Sequence, residues 1–516
     1  MRTVRLGGVT RRGLTGGRGR TVMTAMMLAC GVIVVWVLLV QTIASLVIGA
    51  VGLATVVALF TPLDLAGFGG STLAGRGVRR WRWQHRVRTG LALFEPGQPA
   101  RNARKPAKTT TGPRIVPDVI GDVRVVDVTV TTASTEGQVC VLLHRPKSGP
   151  RYVTVALEVD TAGGGVQAQQ DSDDEYARWG RVKAALAREG SLVRGLQQVE
   201  RVQPPSAVAH ARWLNEVVPA GASRDIAGSY RDLLGRLSWS AETHRTLLVL
   251  RMPQSLAWDL RCREEFGAET DDTSAQLAVM EASRAASLMV SEGGVRRARP
   301  LSQAQLAAAM RACLTDAWSW TDYRDEQGQP LTLSTCWPRM DARDRRHVHV
   351  GADRWIRTAT VEGRRLPGEP VPVSVLRRLV TGIYPAVVRT MSVTEELVPA
   401  GRARSLARAE LTQDIATATS GGAVQDGSQT DQLNASQVRL ADLRPGSGHG
   451  GIRWAMHITV SGTSEKDLNR ACDRLAGVCS DIGLPIRWLD EEHDLALTAV
   501  LPLGRGLTFT TRKVSR

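Results

Sequence analysis

TVMTAMMLACGVIVVWVLLVQTIASLVIGAVGLATVVALFTPL, residues 21–63, runs for forty-three positions without an Asp, Glu, Lys, Arg or His. As one helix it would extend about 65 Å at ~1.5 Å per residue, roughly twice a ~30 Å hydrocarbon core, so it reads as a transmembrane helical hairpin. Gln41-Thr42 is the most polar pair and marks the turn, leaving spans at 21–40 and 43–63. A secretory signal would have one short apolar core and a small-residue cleavage site, and here a second apolar run follows almost at once. Ala50, Ala54 and Ala58, like Ala25 and Ala29, recur at the small-xxx-small spacing that lets two helices approach.

The charge belongs to the flanks of this run. Of the net +16, residues 1–110 contribute +14, with only Asp64 and Glu95 as acids, and the remaining 406 residues contribute +2. Arg2, Arg5, Arg11, Arg12, Arg18 and Arg20 precede the run, and Arg76, Arg79, Arg80, Arg82, Arg86 and Arg88 follow it. By the positive-inside rule both termini are expected in the cytoplasm, which places a two-span protein in the plasma (inner) membrane with a large cytosolic region. Trp81 and Trp83 lie among the second arginine group, where interfacial indoles are favoured, and this collar is the candidate contact site. An anionic lipid membrane is one partner it fits, and DNA phosphates are the other.

The chain divides into a basic tail (1–20), the hairpin (21–63), a collar and linker (64–122) and two cytosolic regions (123–317 and 318–516). The linker's Pro, Lys and Thr between 96 and 111 carry no apolar period. Alternating valines from 123 to 131 open the first region, followed by strands at 139–143 and 152–159 and a helix from about 171 to 189 stopped by Gly190. A strand at 192–202, helices at 207–217 and 225–237, a strand at 246–252 and helices at 274–291 and 302–317 complete it. The mixture predicts a sheet with helices on one face.

The Trp-containing stretch 318–337 reads as loop and boundary. Strands at 354–361 and 386–393, a short helix near 373–380, a helix at 401–418, a polar mobile insertion at 420–451 and a closing strand–helix–strand unit (452–460, 464–482, 484–489) follow. In both regions a helix stops at glycine and an apolar-Arg strand resumes, Ser191-Leu192-Val193-Arg194 against Leu484-Pro485-Ile486-Arg487. The fold class is therefore α+β, the hairpin followed by two mixed α/β, ferredoxin-like domains.

Catalytic signatures are sparse. No Lys follows a Gly, which excludes the phosphate-binding G-x-x-x-x-G-K-[ST] loop. Gly446-Ser447-Gly448-His449-Gly450-Gly451 satisfies G-x-G-x-x-G but precedes a strand, whereas a dinucleotide site needs a strand before it and a helix after it. His347 and His349 share a strand face near Asp344 and Asp353, yet adjacent Arg343, Arg345 and Arg346 oppose a cation. The run Asp490, Glu491, Glu492, His493, Asp494 could hold a general acid and base, and fits the charged start of a helix better. Seven scattered cysteines with no C-x-x-C pair suit a reducing compartment, and Cys472 and Cys479 read as buried thiols of one helix. No catalytic residue, cofactor or metal is assigned.

Glu175-Tyr176-Ala177-Arg178-Trp179-Gly180-Arg181-Val182-Lys183-Ala184-Ala185-Leu186, Thr243-His244-Arg245-Thr246-Leu247-Leu248-Val249-Leu250 and Leu501-Pro502-Leu503-Gly504-Arg505-Gly506-Leu507 resemble a family of actinobacterial integral membrane proteins encoded in mobile elements beside type IV secretion (conjugation) genes. The resemblance implies a hairpin similar to the small two-span subunit of those systems, and a cytosolic part similar to the motor-free N-terminal half of the secretion ATPase. It implies a non-enzymatic inner-membrane scaffold of a translocation channel that docks a separate ATPase and works in a multi-subunit complex with channel subunits. Two alternatives are a type VII secretion membrane component and a membrane-tethered DNA-binding protein.

Overall fold

Apolar residues alternate along most strands of this chain, and an alternating strand is stable only where neighbours complete its ladder and cover its apolar side. The computed structural model describes residues 18–40, 42–60, 73–98, 115–131, 136–146, 149–161, 169–204, 242–315, 320–361 except 326, 376–419 except 384, 428–444 and 450–507, with short pieces at 3–4, 223, 225–226, 228–230, 232–233 and 371–372. In chain order its elements begin with β1 (Thr3–Val4), α1 (Arg18–Val40), α2 (Ile43–Phe60), α3 (Leu73–Arg88), β2 (Leu93–Phe94), β3 (Val123–Thr131), β4 (Glu136–His144), β5 (Tyr152–Thr161), α4 (Gln169–Leu186) and β6 (Gly195–Gln203). There follow β7 (Thr243–Pro253), α5 (Leu256–Phe266), α6 (Asp271–Glu292), β8 (Val295–Pro300), α7 (Gln303–Leu314), β9 (Met340–Asp341), β10 (Val348–Val350), β11 (Arg354–Val361) and β12 (Val371–Pro372). The last are α8 (Arg377–Val380), β13 (Arg389–Val398), α9 (Ala400–Thr419), α10 (Ser428–Asp442), β14 (Gly451–Gly462), α11 (Glu465–Asp481), β15 (Ile486–Trp488) and α12 (His493–Val500).

Thirteen strands form one sheet in the order β2-β9-β10-β11-β14-β13-β6-β7-β5-β4-β3, with β15 also on β11 and β8 also on β5. Its pairings are antiparallel, which corrects the expectation of two separate ferredoxin-like α/β domains. The sequence echo has a structural counterpart, because each half contains a split β-α-β unit. Strands β5 and β6 flank β7 with α4 between them in sequence, and β14 and β15 flank β11 with α11 between them. The halves fuse because β13 is laddered on both sides, to β14 over 389–398 and to β6 over 389–396.

Helices cover both faces, not one. Val141, Leu143, Val153, Leu196 and Leu250 point to the side packed by α4, α5 and α6, and Met391, Ile458 and Val460 continue that side under α8 and α11. Cys140, Leu142, Val199 and Val249 point to the opposite side, packed by α7, α12 and the segment around Leu331, Cys336 and Trp337. The stretch expected to be a boundary loop is thus part of the core, with Trp337 3% exposed and its Nε1 donating to the Leu333 carbonyl at 2.5 Å.

Two further expectations change. Much of the polar insertion is helix α10, which pairs antiparallel with α9 through Ala403, Ala407 and Leu443, an Arg439–Glu410 ion pair and a 2.6 Å hydrogen bond from Ser436 to Asp414. Its polar sequence is the solvent side of a two-helix arm. The linker at 100–112, the glycines at 67–70, the helix expected at 207–217 and the positions 446–449 lie outside the described residues.

The 21–63 run breaks at Gln41-Thr42 into α1 and α2, which fold back on each other. Closest approach is at glycine: a Cβ on Gly49 would lie 2.2 Å from Val37, and one on Gly52 3.4 Å from Ile33, while Ala50 and Ala54 face outward. Among the described residues no helix is long and apolar enough to cross a membrane. Helix α2 has 18 residues, about 27 Å against a hydrocarbon core of ~30 Å, and α1 opens on Arg18-Gly19-Arg20. This corrects the transmembrane hairpin and, with it, the plasma-membrane placement with cytoplasmic termini.

The most buried charge fastens α8 to the sheet. Arg389, 0% exposed, donates to both oxygens of Glu242 (2.7 and 3.1 Å) and to the carbonyls of Leu379 (3.0 Å), Val380 (2.6 Å) and Val387 (3.0 Å). Replacing Arg389 by Met leaves Glu242 and three carbonyls without their donor and should cost about 3–5 kcal/mol in chemical denaturation. The double variant with Glu242→Gln should lose clearly less than the sum of the single changes, and strict additivity would show that the two side chains are not coupled.

Candidate functional site: a basic helix anchored to a buried polar seam

The arginine-tryptophan collar folds as α3, and its eight candidate residues divide between two faces. Arg86 points inward to an ion pair with Asp494, with the two side chains 14% and 6% exposed, and burial lowers the Arg86 pKa from its ordinary value. Trp83 is half-buried on the same side and donates its Nε1 to the Ala342 carbonyl at 3.2 Å. Arg76 and Arg79 are also partly covered. Arg80, Arg82 and Arg88 are exposed, and Trp81 is 64% exposed with its ring stacked on His85 at 5.8 Å and 19°. The collar is therefore an anchored helix with one outward basic face. The turn after it leads into β2, whose pairing with β9 places the loop 343–346 beside α3.

What α3 is anchored to was not visible in the sequence. Below α12 and the C-terminal segment 501–507, the sheet presents a seam of polar side chains in place of an apolar face. Gln197, 0% exposed, donates to Ser392 Oγ and to the carbonyls of Ala499 and Leu501, each at 2.9 Å, and its Oε1 accepts from Gly504 N at 2.6 Å. Arg251 donates to the Gly504 carbonyl (3.0 Å), Thr394 to that of Arg505 (2.5 Å), and Arg505 to those of Val119 (3.2 Å) and Ile120 (2.5 Å). Backbone groups of an irregular buried segment must be paired, and these side chains pair them.

Gly504 has φ +67°, and a Cβ there would stand 2.7 Å from Thr154 Cγ2, so the close approach requires glycine. Arg251 lies 3.8 Å above the Tyr152 ring, which stacks on His144 at 4.3 Å and 9°. Burial lowers the Arg251 pKa to about 10. Gln197, Thr390, Ser392, Thr394, His457 and Thr459 occupy alternate positions of β6, β13 and β14, a pattern that reads as a solvent-facing side. Only the later return of residues 493–507 buries it.

The acidic run ends in ion pairs. Asp490 accepts from Arg357 at 3.0 Å and from His493 Nε2 at 3.2 Å, Glu491 pairs with Arg345 at 2.8 Å, and Asp494 takes Arg86. His493 Nδ1 accepts the Thr358 amide proton at 3.2 Å, which fixes the neutral tautomer with its proton on Nε2. Burial lowers the pKa of His493, as it lowers His144 and takes His457 to about 4.

His347 and His349 do not converge. His347 pairs with Asp344 at 3.3 Å, and His349 tilts against Trp355 at 4.5 Å. Burial pushes the thiols of Cys313 and Cys472 up to about 11 and of Cys336 and Cys479 to about 12, leaving them protonated and unreactive at neutral pH.

Known protein families and curated proteins were compared with the chain, and neither gave a match. The site must be read from its own geometry, in which α3, α12 and the C-terminal segment form one locked corner.

Three histidines with folded pKa below the unfolded ~6.5 bind protons preferentially in the unfolded state, so their contribution is full above that pH and is lost below it. Stability measured by denaturation should fall from pH 6.5 towards pH 4 with a slope of about 1.4 kcal/mol per pH unit for each such histidine in its window, and His457→Gln should flatten that slope. A stability flat from pH 7 to pH 5 would contradict the arrangement. Separately, Gly504→Ala should cost more than about 1 kcal/mol, through both its φ and the contact with Thr154.

Proposed function

We propose that this chain is a non-enzymatic scaffold of a conjugation or type IV secretion-like translocation channel, docking a separate ATPase. The observation that carries the reading is the α1–α2 pair, whose outward side chains are apolar and exposed, joined through α3 to a broad, firmly held body. Leu28 is 64%, Leu39 78%, Ile43 83% and Val51 62% exposed. A continuous apolar surface of this kind is stabilised by association, and helices of the channel subunits are the occupant proposed. Arg86 and Trp83 fix α3 on the body.

Among the described residues, the groups of the acidic run and the buried thiols are committed to structure. The carboxylates of Asp490, Glu491 and Asp494 hold arginines, the buried thiols are protonated, and the His493 imidazole is occupied on both nitrogens. That distribution favours a body that binds partners over one that turns over substrate. The sequence resemblance to conjugation-associated proteins supplies the class of partner.

Affinity purification of the tagged full chain from its native cells should recover the secretion ATPase together with channel subunits. Leu39→Glu with Ile43→Glu should release the channel subunits and leave the ATPase bound. Recovery of neither, under conditions that preserve the complex, would refute the scaffold reading.

A further inference from the structure

We propose that the outward face of α3 binds single-stranded nucleic acid. The helix presents two parallel ridges. Arg80, Gln84 and Arg88 follow one another at i, i+4 and i+8, and Trp81 and His85 form the next ridge at i, i+4. Arg80, Arg82 and Arg88 are exposed and make no ion pair with any described residue, although acidic partners hold many arginines elsewhere in the chain. Trp81 keeps 64% of its surface exposed and stacks on His85.

Guanidinium groups flanking an aromatic pair, Arg80 and Arg88 on one side and Arg82 on the other, can take phosphates while the rings take unpaired bases. Base faces are offered by a single strand and are hidden inside a duplex, which selects the substrate class. Trp83 and Arg86 on the inner side hold the helix in place, so the outward face is presented rigidly.

The proposal stands apart from the scaffold reading: a chain that recovers no ATPase but binds a single strand would sink that reading alone. The test uses the full chain and a fluorescein-labelled oligothymidylate of about twenty nucleotides, longer than one typical site, with anisotropy followed against salt. Combined Arg80→Ala, Arg82→Ala and Arg88→Ala should weaken binding at least tenfold and flatten the log–log salt slope by about 2, at ~0.7 per phosphate contact. Trp81→Ala should weaken it about fivefold or more with the slope unchanged, because stacking releases no counterions. All the substituted side chains are outside the anchoring contacts, and circular dichroism checks that each variant folds. Unchanged affinity in the triple variant would overturn the proposal. So would binding to phosphatidylglycerol vesicles without binding to the oligonucleotide, which would assign the face to lipid headgroups.

Discussion

Everything in the body depends on β13 being paired along both of its edges. Its ladder to β14 spans all ten of its residues, and its ladder to β6 runs from Arg389 to Glu396, so the first and second halves of the chain share one hydrogen-bonded surface. Two helical layers then have to be supplied to cover two faces, which is why helices from both halves lie on each side. Arg389 at the start of this strand serves the same end, joining Glu242 and the end of α8 to a position where water cannot compensate an unpaired charge.

A sheet this broad would leave a polar strip open if the chain stopped at β15. The C-terminal segment closes it with hydrogen bonds to the polar strip, while its Leu501 and Leu503 join the apolar core beside it. Gln197 and Arg251 bind the backbone around Gly504, while Arg505 reaches back to the carbonyls of Val119 and Ile120. Such a seam is specific because the bonds of Gln197 and Arg505 to these backbone groups form only in one register. The same closure brings His493 and Asp494 under α3, linking the last helix of the chain to the basic helix near its beginning.

That link gives α3 its two-faced character. One side is spent on attachment through Trp83 and Arg86, and the other keeps guanidinium groups and an indole in solvent. α3 thus touches the apolar α2 as well as the body.

Local patterns were legible wherever an element's own residues determine it. The valine alternation at 123–131 and the run 354–361 gave β3 and β11 with those bounds, and the helix expected at 464–482 is α11, whose N-terminus the structure shows capped by Ser464, which accepts from Asp467 N. The break at Gln41-Thr42 was also visible. The length and burial of the resulting helices were not, since counting uncharged residues measures neither, and the reading as membrane spans failed for that reason. Composition misled at 428–442, where an amphipathic helix with a polar outer side resembles an insertion. Tertiary structure alone decided that two βαβ echoes share one sheet, that alternating polar positions of β6, β13 and β14 face inward, and that Arg86 and Arg80, six residues apart on one helix, serve opposite purposes. Each depends on which distant segment returns to cover a face, and no local period in a sequence encodes that return.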